Sequence, residues 1–70
     1  MPKRKFTGKV ARFRPKDGFG FISIDYPVGR DAYFHLADCE NFTEAKVGDR
    51  CECFLDLVRR GLKAIRINKV

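Results

Sequence analysis

The chain has 70 residues, of which 15 are Lys or Arg and 9 are Asp or Glu, giving a formal net charge of +6. This length allows a single domain, and domains of this size are often marginally stable without disulfides or metals. No apolar run approaches the roughly 18 residues of a membrane span, and the amino terminus lacks the apolar segment of a secretory signal. We therefore expect a soluble, cytoplasmic protein with no membrane partner.

Turn-forming residues divide the sequence into five runs of strand length, preceded by a basic amino-terminal arm at residues 1–5. The predicted strands cover about residues 6–14, 18–25, 31–35, 50–57 and 62–68. A short helical turn is predicted near residues 36–39. Because an open sheet of this size would leave its edges unpaired, these strands predict an all-β domain over residues 6–70, folded as a small antiparallel barrel.

Alternation of apolar and polar residues assigns the side chains of each strand to two faces. The residues predicted to point inward are Ile22, Ile24, Ala32, Phe34, Cys51, Cys53, Leu55, Leu57, Ile65 and Ile67. Phe54 breaks the alternation, and we expect it on the outside of the barrel. The three cysteines are an odd number without zinc-type spacing, so Cys51 and Cys53 are interpreted as reduced core residues.

The polar faces of the second and third strands carry aromatic residues, which are unexpected on a surface exposed to solvent. Phe19 and Phe21 alternate with Gly18 and Gly20, and they share a face with Ser23 and Asp25. Tyr33 and His35 lie on the corresponding face of the next strand, so an antiparallel pair would gather four flat rings into one patch. Large exposed apolar patches usually mark an interaction surface.

Charge is distributed to match such a patch. Residues 1–16 contain seven Lys or Arg and no acid, and residues 58–70 contain five Lys or Arg and no acid. A patch of rings bordered by cations suits single-stranded nucleic acid, because each base can stack on a ring for about 1–3 kcal/mol while phosphates follow the basic groove. Gly18 and Gly20 are interpreted as allowing close approach of this ligand.

Two motifs resemble a known family. The segment "GFGFI" at residues 18–22, followed by "DAYFH" at 31–35, resembles the paired ribonucleoprotein motifs of the cold-shock domain. That domain is found in bacterial cold-shock proteins and eukaryotic Y-box proteins. "GKVARF" at 8–13 and "KVGDR" at 46–50 are similar to its first strand and to its entry into the fourth. The resemblance implies a five-stranded OB-type barrel that binds single-stranded RNA or DNA with low sequence specificity, and it suggests an RNA-chaperone role.

The resemblance also implies a set of nucleic-acid-binding residues. Stacking positions correspond to Phe19, Phe21, Tyr33 and His35, rim aromatics to Phe13 and Phe42, and a basic loop contact to Arg60. The chain departs from the family at four positions, with Ala11 and Asp17 at usual lysines, Arg12 at a usual tryptophan and Leu36 at a usual phenylalanine. We expect the guanidinium of Arg12 to stack on a base, and Arg14 and Lys16 to supply positive charge nearby.

Other classes of function find little support in the sequence. The single histidine has no nucleophile beside it in a recognisable arrangement, and no glycine-rich loop opens a helix, so we expect neither an enzyme nor a small-molecule substrate or cofactor. No second metal ligand stands at a usual spacing from His35. We expect a monomer. The alternative hypothesis is an OB-like module that binds a protein through the same patch, and it predicts salt-insensitive binding. The sequence leaves open whether RNA or DNA is bound.

Overall fold

A computed structural model describes residues 5–26, 28–59 and 61–70. Within these residues the chain forms five strands and one short 3-10 helix. The strands are β1 (Lys5–Arg14), β2 (Phe19–Ile24), β3 (Asp31–His35), β4 (Arg50–Val58) and β5 (Gly61–Lys69), and the 3-10 helix spans Leu36–Asp38. Of the predicted amino-terminal arm, Lys5 opens β1 and residues 1–4 lie outside the described residues. No helix in the described ranges is both long and apolar enough to cross a membrane.

The strands close into a barrel in the order β1-β2-β3-β5-β4, which confirms the predicted all-β fold. Neighbouring strands are antiparallel except β3 and β5, which pair in parallel where Tyr33 meets Lys63. A closed ring with an odd number of strands cannot alternate in direction all the way round. The barrel, predicted as antiparallel, therefore contains one parallel contact, between β3 and β5.

Apolar side chains from all five strands, together with Ala45 of the β3–β4 connection, fill the barrel. The buried apolar residues are Val10, Ile22, Ile24, Ala32, Phe34, Ala45, Cys51, Cys53, Ala64 and Ile67. Both predicted core cysteines are among them as free thiols. Burial raises the pKa of Cys51 to about 11 and that of Cys53 to about 12, so neither forms the reactive thiolate near neutral pH.

Two residues predicted to point inward do not. Leu57 is 80% exposed, because within the described parts of the chain residues 55–58 of β4 pair only with β5, where the hairpin extends past the Lys5–Phe54 pair. Ile65 lies on the outside opposite Phe54, as a register shift between Glu52 and Phe54 leaves an extra residue in β5. Arg66 in that bulge has φ of 51°, and the inward positions become Ala64 and Ile67.

One side-chain cluster joins three strands at the edge of the barrel. The guanidinium of Arg50 donates two hydrogen bonds to the carboxylate of Asp25, one of them 3.0 Å from Nη1 to Oδ1. The hydroxyl of Thr7 donates a third, 2.9 Å long. Arg50 first and Thr7 second hold the pKa of Asp25 below its ordinary value. The cluster ties the end of β2 to β1 and β4.

We predict that Asp25→Asn lowers the melting temperature near neutral pH. We also expect the melting temperature of the variant to fall less steeply than that of the unaltered protein as the pH is lowered. The lowered pKa means that the carboxylate stabilises the fold above its ordinary pKa of 3.8 and loses this contribution as pH falls through the lower folded value. Thermal melts of both proteins across pH should converge at pH values below the lowered pKa of Asp25. A difference in melting temperature that does not narrow in acid would contradict the role of this ion pair.

Candidate nucleic-acid interface

Strand pairing arranges the predicted site residues in two rows across the outer face of the sheet. The first row is Arg12, Phe21, Tyr33 and Lys63, and the second is Arg14, Phe19 and His35. Directly paired residues in antiparallel strands project to the same face. Each row therefore places aromatic side chains in its middle and an arginine at its β1 end. We call the four rings Phe19, Phe21, Tyr33 and His35 the platform.

Three of the platform rings pack on one another, and all four remain partly open to solvent. The Tyr33 ring centroid lies 5.7 Å from that of Phe19 and 6.0 Å from that of Phe21. Phe21 is 37% exposed, whereas Ile22 and Phe34 on the opposite face are fully buried. The two phenylalanines are thus outside the core, with ring surface left for another flat group.

A β-bulge determines which residues of β1 reach the platform. Val10 pairs with Ile22 and Arg12 pairs with Phe21, so Ala11 is the extra residue between them. The bulge reverses the faces of the strand beyond it. Arg12 and Arg14 consequently share the platform face, while Phe13 turns toward the core and stacks on Phe34 with ring centroids 6.0 Å apart. Phe13 does not join the platform rings.

Gly20 has no side chain, which allows β1 to pack closely against β2. A Cβ atom at this position would overlap the carbonyl oxygen of Arg12 and approach the Phe34 ring to 2.9 Å. The position faces inward, so the expected role of Gly20 in admitting a ligand is wrong. Gly18 has φ of 72° in the β1–β2 turn, a conformation that favours glycine.

His35 is held in one ring orientation by the short helix that follows it. Its Nδ1 accepts a hydrogen bond of 3.1 Å from the backbone N–H of Ala37. In the neutral ring the proton is therefore assigned to Nε2. This leaves His35 with one donor for a ligand on the platform.

The β4–β5 hairpin and the β2–β3 loop turn the platform into a groove of about 1000 Å³. Phe19, Phe21 and Tyr33 form its floor, and Leu57, Val58 and Leu62 line it from the hairpin. Its charged lining residues are Arg30, Asp31, Arg59 and Lys63. The sequence does not predict this hairpin wall, formed by Leu57, Val58 and Leu62, because the alternation in β4 places Leu57 in the core. The sequence marks Lys63 only as one of the basic residues in the segment 58–70. In the structure its ammonium lies 3.4 Å from the Asp38 carboxylate and forms an ion pair with it.

The remaining predicted site residues lie elsewhere. Phe42 packs against the core, with the ammonium of Lys69 5.1 Å from its ring centroid, and does not line the groove. Lys16 is exposed in the β1–β2 turn, next to Asp17 and Phe13 in a separate shallow pocket. Arg60 lies outside the described residues. Across residues 5–26, 28–59 and 61–70, no three His, Cys, Asp or Glu side chains cluster as a metal site would need.

Comparison with known proteins identifies the fold. No protein-family model and no curated protein matches the chain. A solved structure described as "drosophila Unr CSD456" matches 97% of the chain with a TM-score of 0.79 and 23% sequence identity. The chain spans 27% of the length of that structure. The neighbour is a cold-shock domain, and the chain shares its closed five-stranded OB-type barrel.

Proposed function

We propose that the chain binds single-stranded RNA or DNA, with low overall sequence specificity, across the platform and the groove beside it. The observation that carries the proposal is the pair of rows in which arginines adjoin partly exposed rings. Every base has a flat face that can stack on such rings, so affinity needs no particular sequence. The likeness of the fold to a cold-shock domain supports the same proposal.

Charge around the platform suits a strand with its bases on the rings. Arg12 and Arg14 lie along the β1 margin, and Arg30, Arg59 and Lys63 lie on the opposite side of the groove. These cations can contact phosphates on either side of the stacked bases. Asp31 lines the groove beside them, where its carboxylate can accept a hydrogen bond from a base amino group. The groove thus offers stacking, phosphate contacts and one acceptor.

The hairpin wall supports a second candidate function, the binding of a protein partner. Leu57 is 80% exposed and Val58 is 38% exposed, and both line the groove. Exposed aliphatic side chains beside aromatic rings also suit an apolar segment of another protein. Such a partner predicts affinity that changes little with salt, because a protein carries no condensed counterion atmosphere to release on binding.

Binding of labelled oligothymidine, measured by fluorescence anisotropy over a range of salt, tests the proposal. We expect the single strand to bind more tightly than a matched duplex, because paired bases cannot lie on the platform. The logarithm of affinity should fall with the logarithm of salt concentration by about 0.7 for each phosphate contacted. Equal affinity for both forms, or no binding of either, would contradict single-strand binding.

Several further properties belong to the same proposal. We propose that the chain works as a monomer in the cytoplasm, without catalysis, cofactor or small-molecule substrate. An RNA-chaperone role follows by mass action, since a protein that holds open strands shifts weak hairpins toward the unpaired form.

A further inference from the structure

We infer that Arg12 selects guanine for the base that stacks on Phe21. The inference rests on the proposed function and adds a base preference at one position of the same site. Three features carry it: the place of Arg12 on the platform face, the absence of a carboxylate partner for it among the described residues, and the hydrogen-bonding pattern of guanine.

The bulge at Ala11 places Arg12 directly across from Phe21. Side chains in such a pair have Cβ atoms about 4.5–5.5 Å apart. A base lying flat on the Phe21 ring therefore presents its edge, rather than its face, toward the neighbouring strand. The long side chain of Arg12 can then bring its planar guanidinium into the plane of that base. Strict alternation from the buried Val10 would have pointed Arg12 into the barrel instead.

Arg12 is also available to a ligand. Within the described residues, carboxylates form ion pairs with five cations, which are Lys5, Arg50, Lys63, Arg66 and Lys69. Among the ion pairs formed within the described parts of the chain, none involves Arg12. Its side chain is exposed. A hydrogen bond to a base would therefore break no ion pair of the free protein.

The chemistry of the guanidinium favours guanine among the purines. Arginine carries donors only, in a fork that matches two adjacent acceptors. Guanine offers such a pair in O6 and N7, whereas adenine sets its N7 acceptor beside an amino donor. The two purines have similar flat surfaces for stacking on Phe21. A difference between their binding affinities therefore reports on hydrogen bonds to the base edge. Arg14 stands in the same relation to Phe19, which offers a second position of the same kind.

The test uses short oligothymidines that carry one central purine. We expect guanine to bind more tightly than adenine by about fivefold or more, the low end for a bidentate arginine contact. Hypoxanthine keeps O6 and N7 and should behave like guanine. The analogue 7-deazaguanine lacks the N7 acceptor and should behave like adenine. Equal binding of guanine and adenine by the unaltered protein would overturn the inference.

Two variants separate edge recognition from charge. Arg12→Gln replaces the donor-only fork with an amide, which pairs a donor with an acceptor and matches adenine rather than guanine, so the guanine preference should disappear. Lys46→Gln removes a cation from a loop that does not line the groove and should keep the preference. A preference that survives in Arg12→Gln, or that is lost equally in Lys46→Gln, would also overturn the inference.

These outcomes distinguish the inference from the proposed function. If none of the oligonucleotides binds, single-strand binding itself is wrong, and the inference fails with it. If all of them bind with one affinity, the chain binds single strands, and only the assignment of Arg12 is wrong.

Discussion

Phe34→Ala is expected to leave the chain largely unfolded at room temperature, whereas Phe21→Ala is expected to fold and to bind oligonucleotides poorly. Phe34 is fully buried and packs in the centre of the barrel, with Phe13 stacked on it. Truncating a buried phenylalanine typically costs about 3–5 kcal/mol. A core of this size rarely supplies more than about 3–5 kcal/mol of stability in total.

Phe21 is the matched control, because it is a phenylalanine on the neighbouring strand with its ring on the opposite face. It is 37% exposed, so truncation removes little of the core. Loss of one stacking ring should reduce binding by about 1–3 kcal/mol. Thermal melts and oligonucleotide titrations of both variants measure the two effects. If Phe21→Ala unfolds the protein, its ring belongs to the core and the platform is wrongly assigned.

Gly20→Ala should destabilise the barrel about as strongly as loss of the Phe34 ring, although it adds a single methyl group. The added Cβ would overlap the carbonyl oxygen of Arg12, and the Cα of Phe13 would lie 3.0 Å away. Both are backbone atoms, which cannot rotate aside as a side chain can. Strands β1 and β2 would have to separate beside the bulge, and the alignment of Arg12 with Phe21 would be lost with them.

Gly29→Ala separates this steric effect from the loss of glycine's backbone freedom. Gly29 has φ of 89°, but no atom of the described residues lies within 4 Å of a Cβ built on it. Its substitution should cost only the strain of a left-handed residue, about 1–2 kcal/mol. Circular dichroism melts compare the two variants directly. A Gly20→Ala protein that melts close to the unaltered chain would show that the two strands can move apart without loss of the fold.

The sequence alone predicted the platform because β2 and β3 are regular strands. In such strands alternation has a period of two, so the inward positions Ile22 and Phe34 require Phe21 and Tyr33 to point outward. The loop between the strands is short enough to enforce antiparallel pairing. Both faces of this hairpin therefore follow from local rules, and the structure gathers the four rings as those rules predicted.

The tertiary structure alone decided what surrounds the platform. Closing a twisted sheet into a barrel requires irregularities, and alternation does not show where they fall. The bulge at Ala11 exchanged the faces of Arg12 and Phe13, and the one at Arg66 placed Ile65 outside. Leu57 fits the apolar alternation of a core residue. Whether its side chain is buried depends on how far the β4–β5 hairpin extends past β1 and β3. The hairpin residues that line the groove and the arginines beside the platform are positioned by contacts between strands. The alternation pattern of a single strand contains no information on those contacts.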